Sequence, residues 1–111
     1  MAQYLSSLDD VFAALADPTR RTVVRTLGRG PASVGALARS ASMTLPSFVK
    51  HIHTLERCGL IHTEKSGRVR TCILNRRRLS VVDGWLANQR AVWDRHTDRL
   101  EQFVTTSEEP S

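Results

Sequence analysis

The side chains in this sequence that could do chemistry are mostly cations, and they are gathered in one place. Residues 44–78 contain Lys50, Arg57, Lys65, Arg68, Arg70, Arg76, Arg77 and Arg78 against only Glu56 and Glu64. The remaining residues hold eight basic and nine acidic side chains, so the central third accounts for the whole formal charge of +5. A Lys or Arg placed on a phosphate releases counterions and adds salt-sensitive affinity. Spread over a surface, such charges would simply be solvated; concentrated in one contiguous segment, they point to an acidic polymer, with nucleic acid first. No catalytic pattern accompanies them. There is no Gly-rich phosphate loop, no Gly-x-Ser-x-Gly elbow and no His-Glu-x-x-His. An enzyme is therefore not expected, and no cofactor is implied.

The elements that must carry these charges follow from spacing. Leu8, Val11, Phe12 and Leu15 recur at helical intervals over 8–16. Asp17 then suits an N-cap and Pro18 the first helical position. Val23, Val24 and Leu27 give the apolar face of a second helix, stopped by Gly28 and Gly30-Pro31. A third helix starts near Ser33, with Val34, Leu37 and Ala38 inward. After the break Ser42-Met43-Thr44, a fourth runs to about Cys58, capped by Thr44 or Ser42, with Pro46 in its first turn. Phe48, Ile52 and Leu55 form its buried side. Ser47, Lys50, His51, His53, Thr54 and Arg57 lie elsewhere on the cylinder. Two short helices with a three-residue break predict a helix-turn-helix over 33–58.

Leu60 to Thr63 and Val69 to Leu74 are β-prone, with Lys65-Ser66-Gly67-Arg68 between them, which predicts a basic-tipped hairpin, a wing, over 60–74. A helix for the major groove followed by a wing for the flanking backbone is a DNA-binding arrangement. Residues 79–104 then read as one long helix. Val82, Leu86, Gln89, Trp93, His96, Leu100 and Phe103 alternate spacings of four and three, which is a heptad seam. The seam, with the first helix, is expected to form a dimer interface, with Gln89 and His96 setting register; packing on the domain's own core is the alternative. The polar tail from Thr105 to Ser111 is expected to fray.

Length and composition set the limits. The 111 residues, 41% hydrophobic and 24% charged, fit one globular domain over 1–111, mainly α with a small β-wing. Its thin core favours dimerisation. No apolar run is long enough for a bilayer. The opening MAQYLSSLDD lacks a basic-then-apolar pattern, so a cytoplasmic protein is expected.

Cys58 and Cys72 are too few for a disulfide framework, and their spacing fits no zinc ribbon. A hairpin centred on Ser66-Gly67 pairs Cys72 with Ile61, bringing it within a few residues of Cys58. The pair is then either two small apolar core residues or a redox switch beside the DNA-reading surface. A metal on His51, His53 and His62 would compete with DNA, and none is expected.

Three stretches together carry a family resemblance: FAALADPTRRTVVRTL at 12–27, LPSFVKHIHTLERCGLI at 45–61 and EKSGRVRTCIL at 64–74. Over residues 8–104 the chain resembles the ArsR-type winged-helix transcriptional repressors. Its closing WDRHTDRLEQFV at 93–104 is similar to the autorepressor-like branch without metal-site motifs. The resemblance implies a homodimer on an inverted-repeat operator in double-stranded DNA, with the fourth helix as recognition helix. That role falls to Ser47, Lys50, His51, His53 and Thr54, with Arg57 and the wing residues Lys65, Arg68 and Arg70 on the same side. Lys50 and His53 are expected to read bases; Ser47 and Thr54 are expected to hold phosphate. Val49 departs from the Ser or Thr common there, and either meets a thymine methyl or turns inward. The dimer interface falls to Leu86, Gln89, Trp93, His96, Leu100 and Phe103.

Metal-sensing relatives carry a Cys-x-Cys pair on the third helix, and here SVGALARS has neither Cys nor His. Asp94 and His96 match half of a zinc motif whose second half is missing at Ser107. Two ligands do not make a tetrahedral site. A redox- or ligand-responsive repressor, and a winged helix that binds protein partners, remain the alternatives.

Overall fold

The computed structural model describes residues 2–108. Five helices and three short strands follow in the order α1 (Ala2–Leu15), α2 (Pro18–Leu27), β1 (Ala32–Ser33), α3 (Val34–Ser40), α4 (Leu45–Arg57), β2 (Ile61–Ser66), β3 (Val69–Leu74) and α5 (Arg76–Glu108). Local chemistry explains most of the boundaries. Asp17 caps α2 by accepting from the Arg20 N–H at 3.0 Å, Ser33 caps α3 from Ala36 N–H at 3.1 Å, and Thr44 caps α4 from Ser47 N–H at 3.4 Å. Gly59, at φ +83°, turns the chain out of α4 in a conformation that side chains rarely adopt.

The core is built where these elements meet. Phe48, Leu55, Leu60, Ile61, Val11 and Cys72 are fully buried, with Val23, Leu27, Leu37 and Ile52 around them. Helices α3 and α4 form the expected helix-turn-helix, and β2 and β3 the expected wing.

Three expectations are corrected. The hairpin turns on Gly67-Arg68, with φ +62° at Gly67 as a tight two-residue turn requires. Ile61 therefore pairs with Leu74, and Cys72 faces Thr63 rather than Ile61. This slip of two leaves every side chain on its expected face. Second, β1 pairs antiparallel with β3, Ala32 opposite Cys72, giving a three-stranded sheet of order β1-β3-β2. A two-residue strand has no period to read. Third, the terminal helices are longer than expected: α1 begins at Ala2, and α5 spans 76–108 instead of 79–104. Helix therefore continues through residues 105–108 of the expected tail, and 109–111 lie outside the described residues.

Helix α5 has two different halves. Leu79 and Val82 pack against the core, and Trp85 meets Phe12 of α1 edge-on with ring centroids 5.7 Å apart. Over residues 91–104 the side chains are exposed, including Trp93 at 55% and Leu100 at 53%. The first half thus covers the domain's own core, and the second half projects from it. At about 1.5 Å per residue α5 is about 50 Å long, which explains why the molecule extends 78 Å in one direction and at most 30 Å in the others.

The arginine run at the start of α5 sits at an adverse helix end, since cations disfavour a helix N-terminus. Two of the three are placed against the opposite ends of other helices. Arg76 Nη2 donates to Gly28 O at 2.9 Å, at the C-cap of α2, and Arg78 Nε donates to Cys58 O at 2.7 Å, at the C-cap of α4. Cationic donors there satisfy carbonyls that the helices leave unpaired. These two charges therefore tie α5 to the ends of α2 and α4, which lowers the number available to phosphate.

Candidate nucleic-acid interface

Helix α4 buries Phe48, Ile52 and Leu55 along one side. At 3.6 residues per turn the opposite side carries Lys50, His53 and Arg57, with Ser47 near its edge, and all four are exposed. Lys65 and Arg68 are exposed at the wing. Among the described residues, Lys50, Arg57, Lys65 and Arg68 make no ion pair with an acid. They stand as unneutralised cations on a helix and on the hairpin that follows it.

Four of the expected contact residues are engaged within the protein. Thr54 donates its hydroxyl to Lys50 O at 3.1 Å, one turn back in its own helix. Arg70 Nη1 donates to Thr63 Oγ1 at 2.8 Å, and the Thr63 hydroxyl donates to Glu56 Oε2 at 2.6 Å. This chain of bonds links the wing to the last turn of α4. Ser47 accepts from the Thr44 hydroxyl at 3.0 Å. His51 departs furthest from expectation. It lies on the flank of α4 towards α2, half-buried, with Nδ1 3.0 Å from Arg20 Nη1 and 3.7 Å from Asp17 Oδ2. Ring position on the helix, not residue type, takes it away from the exposed face.

Asp17 is held below the ordinary carboxylate range. Burial opposes its charge, but the Arg20 N–H, the Arg20 charge and the Thr19 N–H outweigh that, and His51 adds to them when it is protonated. Glu56, Thr63 and Arg20 are the functional neighbours that sequence reasoning missed. For Arg20 the signal was the ADPTRR box, which marks the position without showing what it touches.

Between α4 and the wing lies an open groove of about 570 Å³, floored by Val34, Leu45, Val49 and Val69 with Arg68 at its edge. Val49 is half-buried in this flank, so it neither points straight out nor joins the core.

Cys58 and Cys72 are buried free thiols in the core cluster. Cys58 Sγ donates to Leu55 O at 3.3 Å. Burial pushes the Cys72 thiol up, with the Glu56 charge adding and the Arg70 charge opposing. Oxidation and metal binding proceed through the thiolate, so this placement favours packing over redox chemistry. Among the described residues no group of three or more His, Cys, Asp or Glu side chains is placed to hold a metal ion, and no helix is long and apolar enough to cross a membrane.

A helix-turn-helix followed directly by a sheet hairpin, with cations exposed on both, defines a winged helix-turn-helix DNA-binding domain. Comparison with known proteins agrees: residues 15–64 match a family described as a helix-turn-helix domain. The crystal structure of an ArsR family transcriptional regulator is 52% identical, covers 79% of this chain and 97% of its own, and superposes with a TM-score of 0.77. The HTH-type transcriptional regulator Rv2034 of Mycobacterium tuberculosis is 37% identical over 67 residues, 60% of this chain and 62% of that protein. The transcriptional repressor SdpR of Bacillus subtilis is 28% identical over 81 residues, 73% of this chain and 90% of that protein. The chain belongs to the ArsR family of winged helix-turn-helix transcriptional regulators. It is a DNA-binding regulator and not an enzyme.

Proposed function

We propose that this regulator is a homodimeric repressor that occupies an inverted-repeat operator. The observation that carries the reading is the set of unpaired cations on the outer side of α4 and on the wing. Lys50 and His53 would read base edges in the major groove, with Arg57, Lys65 and Arg68 on the backbone. Repression is the activity named for SdpR. The dimer is supported by the second half of α5, where Trp93 and Leu100 expose large apolar surface at heptad spacing. Leu86, Gln89, His96 and Phe103 belong to the same seam.

Selection of bound duplexes from a random pool tests the reading. An inverted repeat with half-sites about one helical turn, or a multiple of it, apart is the expected product. Retention of DNA with no motif would overturn operator reading. Trp93→Ala is expected to shift the protein towards monomer in sedimentation, through loss of a large aromatic at the seam. A variant that stays dimeric at all concentrations would remove Trp93 from the interface. Arg68→Ala is expected to weaken operator and random duplex alike and to reduce the salt slope of binding by roughly one. An unchanged slope would take the wing off the phosphates.

A further inference from the structure

Three hydrogen bonds join α4 and its C-cap to other elements, among the described residues. Two lie in its final turn: Glu56 to Thr63 of the wing, and Cys58 O to Arg78 of α5. The third, His51 to Arg20 of α2, is the one placed towards the half of the helix that carries Ser47 and Lys50.

The chemistry of this third tie is determined by its donor. Arg20 Nε donates to Ala14 O at 2.6 Å and Nη2 to Ala13 O at 3.2 Å, both in the last turn of α1, where carbonyls have no helical partner. The guanidinium is thereby fixed in plane, with Nη1 left for His51 Nδ1 at 3.0 Å. A guanidinium stays protonated and has only donors. In this contact Nδ1 can only accept, which requires the neutral ring with its proton on Nε2. Asp17 Oδ2, at 3.7 Å, is too distant for a hydrogen bond to the same nitrogen and is already engaged with Arg20 N–H.

We propose that His51 is a positioning residue for sequence reading. Through Nδ1 it latches the middle of the recognition helix to the α1–α2 corner, and it does not itself select bases. The geometry gives the latch leverage. Helix α4 has 13 residues and so is about 20 Å long. A tilt of about 5° about its tied C-terminal end moves the first turn by nearly 2 Å, whereas a hydrogen bond to a base tolerates a range of only about 0.5 Å. Phosphate contacts made by long flexible side chains tolerate such a shift far better. Loss of the latch is thus expected to cost specificity more than general DNA affinity.

This inference rests on the operator reading proposed above, and the test separates the two. The ring nitrogens of His51 in the DNA-free protein, followed by nitrogen NMR at mildly alkaline pH, are expected to show the Nε2–H tautomer. An Nδ1–H tautomer overturns the latch whatever the DNA results. The variants His51→Ala, His51→Asn and His51→Gln are then compared on the selected operator and on a random duplex of equal length, after thermal melting shows that each is folded. Asn offers an acceptor near the place of Nδ1, and Gln offers its amide near that of Nε2. His51→Ala is expected to lose roughly ten- to hundredfold on the operator with little change on random DNA, and Asn but not Gln is expected to restore most of it. Rescue by Gln and not Asn would overturn the proposal in favour of direct contact through Nε2. Equal loss on both duplexes would overturn it in favour of a phosphate contact. Should selection recover no operator, the operator reading fails and the positioning role falls with it, even if the tautomer is as expected.

Discussion

Replacing Phe48 by alanine is expected to cost about 3–5 kcal/mol of stability, measured by urea unfolding of the otherwise intact chain. Its ring is wholly inaccessible, and its neighbours cannot collapse freely around the space it leaves. It packs between α2 and the helix-turn-helix break, where Val23, Leu37 and Met43 line the adjoining cleft. A domain of this size is stable by only about 5–15 kcal/mol, so this substitution would consume a large share of the total. The loss should appear on every DNA sequence alike, because the reading helix is undocked rather than altered. A change below about 1 kcal/mol would mean that Phe48 does not anchor α4, and the assignment of the opposite side as DNA-facing would fall with it. The second large effect is the converse case, a change on the outer side of the same helix.

How much of this was legible in the sequence depends on how local the cause is. The cap at Asp17 was readable, and Thr44 was one of two candidates for α4, because each acts within three residues of itself. So was the buried side of α4, since Phe48, Ile52 and Leu55 are fixed by helical period alone. The wing was readable as a hairpin but not in register: Ser66-Gly67 and Gly67-Arg68 both place glycine in the turn, and only backbone geometry decides between them. The short β1 was invisible for want of length. Charge was legible in amount and not in employment. Arg76 and Arg78 count as cations in any tally, yet they are bound to Gly28 and Cys58 carbonyls that become neighbours only when α2, α4 and α5 assemble. His51 is the clearest case. Its residue type and place in the recognition helix suit DNA, but its flank of the helix meets Arg20, 31 residues earlier in the chain. That contact is a property of the α1–α2 corner, and no pattern local to residue 51 encodes it.

Lys50 shows what remains when such internal uses are removed. It lies two residues from Phe48 on the opposite side of α4, exposed, and among the described residues it has no ion-pair or hydrogen-bond partner for its ammonium group. Lys50→Ala should therefore leave folding stability within about 0.5 kcal/mol, the range of an unconstrained surface change. On the selected operator it is expected to cost about 1–3 kcal/mol, as the loss of one good base contact does. On a random duplex the loss should be smaller, confined to the counterion release of a single charge. The comparison is made at one fixed salt concentration, since affinities at different ionic strengths are not commensurable. Equal losses on the two duplexes would make Lys50 a backbone contact and shift base reading to His53, another exposed donor on the same side of the helix. No loss on either would mean that this side does not enter the groove at all. The pairing of Lys50→Ala with Phe48→Ala is thus decisive for the orientation of α4: Phe48→Ala should sharply lower stability without altering preference, and Lys50→Ala should alter preference without touching the fold.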